Sequence, residues 1–266
     1  MARPLSLHHL VALEITAAEL VRIAAELGCE HVCLFTLDPG GRRPYPAVTD
    51  AEVPDLKALM DDHGITVCGL SSFPIGKGLD FDVYEAAIAR GAALGASYVS
   101  TRPADGNEAR MTENFGRIGE IAAGYGITPC LEFGGYGVTD ALPQAVRIVR
   151  GAGSGKVILD ALHVVRTGTT MEDARAIDPA IRGYIQLCDG PREATGEDYA
   201  REGGFDRLPP GEGMFPLREL LALIPADRPV SLEVPMERAR GHGMDAWSRA
   251  KLIIDASRRV ISEVDG

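Results

Sequence analysis

Four polar residues interrupt apolar runs of the chain. Glu132 stands in Cys-Leu-Glu-Phe, Asp160 ends Val-Ile-Leu-Asp, Gln186 lies in Tyr-Ile-Gln-Leu-Cys-Asp, and Glu233 lies in Ser-Leu-Glu-Val. A carboxylate inside a buried strand costs several kcal/mol unless it is paired or bound to a cation. The strand-like runs carry no matching set of Lys or Arg, so one divalent ion is the compact counter-charge. Three carboxylates and an amide oxygen make a hard, oxygen-only shell that favours Mg²⁺ or Mn²⁺, with Co²⁺ or Zn²⁺ as the next choices. Glu132 and Glu233, flanking such an ion, could act as base and acid on adjacent carbons while the cation holds a carbonyl and its neighbouring hydroxyl.

These residues need a scaffold that brings strand ends together. Short β-rich runs alternate with amphipathic helical runs eight times. The strand runs are Leu5–Leu10, His31–Leu37, Thr66–Ser71, Tyr98–Arg102, Thr128–Phe133, Val157–Ala161, Gly183–Cys188 and Val230–Val234. They are apolar throughout instead of alternating, as parallel strands buried on both faces require. Thr16-Ala-Ala-Glu19 is a capping box opening the first helix, and Gly28, Gly64, Gly95, Gly126 and Gly151 stand where helices should stop. Eight units in 266 residues is about 33 residues each, the arithmetic of a single (β/α)8 TIM barrel over residues 1–266. A doubly wound sheet fits less well, because the turn after the first strand has no glycine. The predicted site lies at the C-terminal ends of strands 5–8. A polar, Gly- and Pro-rich loop over residues 190–213 follows strand 7 and is expected to cover that face.

Composition narrows the partners. Lys and Arg number 27 against 38 Asp and Glu, a formal net charge of −11, which disfavours nucleic acid and anionic membrane surfaces. No stretch has the length and apolarity of a membrane span, and the N-terminus does not read as a signal peptide. Five cysteines, mostly in or beside apolar runs, suit a reducing compartment, so the expected location is cytoplasmic. Cys29 and Cys33 read as core thiols, not as a metal pair.

The second half of the chain resembles the xylose isomerase-like barrels, the sugar isomerase/epimerase superfamily that also holds endonuclease IV and several dehydratases. The matching elements are Leu131-Glu132-Phe133, Asp160-Ala-Leu-His163, Ile185-Gln186-Leu-Cys-Asp189, Arg207-Leu-Pro-Pro-Gly211-Glu212-Gly213 and Leu232-Glu233-Val234. The resemblance implies that Glu132, Asp160, Gln186 and Glu233 hold the metal, that His163 contacts substrate or supports the ligands, and that Asp189 supports the strand-7 ligand. Gln186 stands where many members carry histidine, as in the hydroxypyruvate isomerase-like and dehydroshikimate dehydratase-like branches. The implied activity is isomerisation or epimerisation of a keto-sugar or related polyhydroxy carbonyl compound through an enediolate, in a homodimer or homotetramer. The alternative is a dehydratase acting on 3-dehydroshikimate or an inosose. A non-catalytic sugar-binding barrel is the remaining class. Endonuclease chemistry is disfavoured, since it needs three metals and many histidines and the chain has six.

Other residues are candidates from position alone. Arg207 could reach a substrate oxygen or anion, and Arg102, closing strand 4, could hold a substrate carboxylate or phosphate. Of His8 and His9, strand alternation lets only one face the barrel interior. Glu212 is expected to bind loop amides or to reach the metal through water. Phe73, Phe133, Tyr136 and Phe205 could wall the substrate. The third strand ends without a histidine, which argues against a second metal. Gly151-Ala-Gly-Ser-Gly155-Lys156 is not a phosphate loop, because it precedes a strand and lacks the final Ser/Thr. His31, His63 and His242 read as surface or loop residues.

Overall fold

A computed structural model describes residues 3–38, 44–134, 142–193 and 199–265. Eight parallel strands close into one barrel in chain order: β1 Leu5–His8, β2 His31–Phe35, β3 Thr66–Ile75, β4 Tyr98–Pro103, β5 Thr128–Glu132, β6 Lys156–Asp160, β7 Arg182–Leu187 and β8 Val230–Leu232, with β8 pairing back onto β1. The doubly wound alternative is thereby excluded.

The helices are α1 Ala17–Glu26, α2 Val53–His63, α3 Phe81–Ala93, α4 Glu108–Gly124, α5 Leu142–Ala152, α6 Ala161–Arg166, α7 Met171–Ala176, α8 Tyr199–Phe205, α9 Leu217–Leu221, α10 Glu237–Gly241 and α11 Ala246–Asp265. The Thr16–Glu19 capping box forms and opens α1. Gly64, at φ +67, takes the left-handed cap that ends α2, where a Cβ would be strained. At the end of α5 the helix runs on to Ala152, and Gly153 has the positive φ expected of Gly151. Three short helices escape the periodicity of the sequence: α6, α8 and α10. The segment over residues 190–213 is therefore not a plain loop. It contains α8 and is stitched down by bridges from Asp189 to Leu208 and from Asp206 to Met236.

Two layers fill the barrel. Because alternate residues of a strand face the same side, each strand offers an interior pair, and most pairs combine an apolar or thiol residue below with a polar one above. Cys33, Cys68, Cys130, Ile158 and Tyr184 form a buried cluster separate from the main core, with Tyr98 packed against it. Ser6 and Ser231 hydroxyls contact the Cys33 thiol at 3.3 and 3.5 Å. The cysteines here are interior packing; all five are buried and free. Two residues further along seven of the eight chain runs, β3 with its register shift excepted, come His8, Phe35, Ser100, Glu132, Asp160, Gln186 and Glu233, at the C-terminal mouth. The outward faces of the strands pack on the helices to form the main core. No helix among the described residues is long and apolar enough to cross a membrane.

Candidate active site

Asp160 is the last residue of β6 and also the cap of α6. Its Oδ1 accepts from the amides of Leu162 at 2.8 Å and His163 at 3.3 Å, which fixes the carboxylate at the barrel mouth. The same cap presents His163 from the first turn of α6. His163 Nε2 lies 3.0 Å from Glu132 Oε1, and its Nδ1 meets the Tyr199 hydroxyl of α8. An ionised carboxylate only accepts, so in the neutral ring Nε2–H points at Glu132 and Nδ1 accepts from Tyr199. Ser100 Oγ donates to the other Glu132 oxygen at 3.2 Å. Glu132, Asp160 and His163 each bring one ligand atom to within 4.8 Å of the others.

Glu233 lies outside that group and is tied to Asp160 through Arg207. Gln186 donates its amide N–H to Glu233 Oε2, which leaves Gln186 Oε1 buried with no hydrogen-bond partner among the described residues. The sequence offers no matching set of Lys or Arg on the strands, and among the described residues no strand cation pairs with Asp160 or Glu233, but the loop after β7 supplies one. Arg207, itself buried, donates from Nη1 to Asp160 Oδ2 at 2.7 Å and from Nη2 to Glu233 Oε1 at 3.1 Å. Its Nε donates to the Gly203 carbonyl of α8 at 2.9 Å, and its backbone N–H to the Pro235 carbonyl after β8 at 2.9 Å. The counter-charge is therefore partly the protein's own.

Burial pushes the Asp160 carboxyl up, but Arg207, His163 and the capping amide outweigh it and hold the group below its ordinary value. At Glu233 burial wins: the carboxyl is raised well above the usual range, with Glu132 and Asp160 adding to the effect and Arg207 only partly opposing it.

His8 and His9 divide as strand alternation requires. His8 Nδ1 accepts from the Leu10 amide at 3.0 Å, so the ring proton sits on Nε2 and is donated to Ser71 Oγ at 2.8 Å. Burial and the Arg207 charge bring its pKa down to about 3. The ring is neutral, and its 3.6 Å approach to Glu233 Oε2 is a contact, not an ion pair. His9 turns away into a 3₁₀ turn, packs near Phe35 and touches the Ile15 carbonyl at 3.0 Å.

Burial lowers the His9 pKa to about 4, against 6.5 for the ordinary group. Between those values the unfolded chain binds a proton that the native one does not, so native stability falls with pH below about 6.5. At 1.36 kcal/mol per pH unit, wild type should lose about 2 kcal/mol more than His9→Asn between pH 7.5 and 5. Denaturant unfolding at the two pH values reads this. Equal losses in the two proteins overturn it.

The remaining candidates fall outside this cluster. Asp189 accepts from the amides of Gly190, Gly211 and Phe215 at 2.8, 2.9 and 3.0 Å, and so anchors the loop after β7. A Cβ on Gly213 would stand 2.2 Å from Asp189 Oδ1, which explains the glycine there. Glu212 is exposed. Arg102 is half-buried on β4 with no hydrogen bond or ion pair among the described residues. Phe73 and Phe133 are buried in the core, Phe205 closes α8, and Tyr136 lies outside the described residues. Ser71, Ser100 and Tyr199 are polar partners that sequence reading missed. Serines in apolar strands are too common to signal a site, although Ser100 stands two residues before Arg102, in step with the interior pairs.

The described part of the loop after β7 is anchored by more than Arg207. Arg166 of α6 pairs with Glu202 of α8 at 2.6 Å and lies over the Phe215 ring at 5.0 Å. Asp160 and Glu233 are buried at the mouth, whereas Glu132 is partly exposed.

The family model of the xylose isomerase-like TIM barrels matches residues 21–260, and the chain belongs to that family. Similar solved structures include the IOLI protein with a bound zinc atom, at 19% identity and a TM-score of 0.80 over 99% of both chains. D-psicose 3-epimerase in the presence of D-fructose matches at 17% identity and a TM-score of 0.75 over 100% of both. A xylose isomerase-like TIM barrel/4-hydroxyphenylpyruvate dioxygenase fusion protein matches at 22% identity and a TM-score of 0.77, over 99% of this chain and 45% of that one. At such identities these likenesses establish the fold. No curated protein sequence matches the chain.

Proposed function

We propose that this member of the xylose isomerase-like family is a divalent-metal-dependent isomerase or epimerase of a polyhydroxy ketone or aldehyde. The observation that carries the reading is the charge and donor set at the mouth. Arg207 bridges Asp160 and Glu233, and Asp160 in turn shares with Glu132 and His163 a group whose ligand atoms lie within 4.8 Å of one another. If all three carboxyls are ionised, that leaves two negative charges, the amount one divalent ion neutralises. Gln186 Oε1, buried with no hydrogen-bond partner among the described residues, is a neutral oxygen donor on the side chain that binds Glu233. Glu132, Asp160, Gln186 and Glu233 would hold the ion, with Mg²⁺ or Mn²⁺ suited to the oxygen donors and His163 beside Glu132. When bound, the ion supplies Lewis-acid polarisation of a carbonyl and lowers the cost of negative charge developing next to it.

The rest is the work of the chain. Glu132, at the end of β5, and Glu233, just after β8, approach from different strands of the barrel, so one can take a proton from a carbon that the other, or the same group, re-protonates. Ser100 and His163 orient Glu132, and Gln186 orients Glu233. Arg207, held between Asp160 and Glu233, faces the space where substrate oxygens must lie. The same residues could expel a β-hydroxyl, giving a dehydratase, and Arg102, without a partner among the described residues, favours that second reading when the substrate is an acid.

Chelation followed by solvent-deuterium exchange tests the proposal. The stripped protein should lose exchange of substrate α-hydrogens across keto-sugars, inososes and dehydroshikimate, and Mn²⁺ or Mg²⁺ should restore it for at least one of them. A protein that neither binds nor is activated by any divalent ion sinks the reading.

A further inference from the structure

Arg102 stands out among the arginines. Those buried or half-buried elsewhere in the described structure donate to carboxylates, carbonyls or a hydroxyl; Arg102 is half-buried and has neither a hydrogen bond nor an ion pair among the described residues. Burying part of a guanidinium without a partner is costly, and it is usually repaid by a ligand or a neighbour.

Its place in the barrel is set by register. β4 and β5 pair without a break from Tyr98↔Thr128 to Thr101↔Leu131. One residue on, the same offset sets Arg102 level with Glu132. Laterally paired residues in a sheet share a face, and alternation along β4 agrees: Tyr98 packs against Tyr184 in the interior cluster, Ser100 donates to Glu132, and Arg102 comes next on that face. Yet Glu132 is oriented by Ser100 and His163, not by Arg102. On the other side, Pro74 of β3 pairs with Arg102, and the nearby Tyr84 phenol feels its charge. Burial pushes that phenol up to about 12, so it stays protonated and does not neutralise the guanidinium.

We propose that Arg102 is a specificity residue that binds a carboxylate of the substrate at the rim between β3 and β5, beside Glu132. The proposal rests on the enzymatic reading above and narrows it to acids. A planar fork with paired N–H donors matches one carboxylate bidentately. A phosphate dianion fits less well, because the mouth already carries more carboxylates than cations and a second negative charge adds to the repulsion. A carboxylate held here places the substrate's acid end away from Arg207, with its carbonyl and hydroxyls toward Asp160 and Gln186.

A matched pair of probes tests this: 3-dehydroshikimate and an inosose, both cyclic polyhydroxy ketones, of which only the first bears a carboxylate. Calorimetric titration uses the Mn²⁺-loaded full chain. Wild type should bind 3-dehydroshikimate at least tenfold more tightly than the inosose. Arg102→Met should weaken the carboxylated probe by roughly 10- to 100-fold, the range for a lost charge-assisted pair, and leave the inosose within twofold. Arg102→Lys, which keeps the charge and loses the fork, should fall between. Equal weakening of both probes, or no preference in wild type, overturns the proposal. Deuterium exchange on the same samples reads the enzymatic assignment separately: an intact binding preference with no exchange in wild type removes the activity and leaves the carboxylate subsite standing.

Discussion

Glu132→Gln and Glu233→Gln should each lower turnover by roughly a hundred- to ten-thousandfold, the range for loss of a positioned general acid or base. The amide keeps the size and the oxygen donor but can neither accept nor deliver the proton. Metal content measured on both variants separates loss of proton transfer from loss of the ion. Exchange separates the reaction types. In an epimerase with a base on each face, each variant still exchanges the α-hydrogen of the epimer whose C–H faces the intact glutamate. In an isomerase with a single shuttling base, one variant loses exchange altogether and the other keeps it. Turnover within tenfold of wild type in both variants would falsify the acid–base assignment.

The two substitutions should differ in their effect on the fold. Glu233 is raised well above the ordinary glutamate range, chiefly by burial. A carboxyl raised in the native state binds a proton there that the unfolded chain has released, so its contribution falls as pH climbs past the unfolded value. Near neutrality Glu233→Gln removes that penalty, and its melting temperature should equal or exceed that of wild type. A clear loss of stability at pH 7.5 would show instead that the carboxylate is well paired.

How much of this was legible beforehand follows from what each residue depends on. The barrel was legible because strand runs buried on both faces and helix-ending glycines are local signals repeated eight times. Glu132, Asp160, Gln186 and Glu233 were legible as anomalies, since polar side chains in apolar strands demand a reason. The dual use of Asp160, as strand end and as cap of α6, leaves only the short string Asp-Ala-Leu-His, too brief for a helix of six residues to show a period. Arg207 is a different case. Its reach into the barrel depends on the chain from Gly190 to Gly213 folding back through Asp189, Asp206 and α8, whose contacts are tertiary and leave no periodicity. Composition could show that loop as polar, but not that one of its arginines would become the counter-ion of the site.

That dependence makes Arg207→Met the most informative variant for stability. Without the guanidinium, Asp160 and Glu233 stay buried, facing each other and Glu132 with no cation between them, and removing one partner of a buried pair typically costs about 3–5 kcal/mol. For a chain of this length that is a fall in melting temperature of roughly 10 °C in metal-free protein. A divalent ion is the other group able to answer those carboxylates, so Mn²⁺ at 100 times its dissociation constant should return about 2.7 kcal/mol by linkage. It should also bind Arg207→Met more tightly than wild type, because it no longer competes with a fixed guanidinium for Asp160 Oδ2 and Glu233 Oε1. Arg207→Lys guards against a variant that fails to fold: a single ammonium reaches one carboxylate but does not bridge two, so it should show a smaller loss of the same sign. Thermal unfolding with and without Mn²⁺, and metal titration of all three proteins, read the outcome. If metal-free Arg207→Met melts with wild type and gains no more from Mn²⁺, the guanidinium is not the internal counter-charge, and the carboxylates are held by the strands alone.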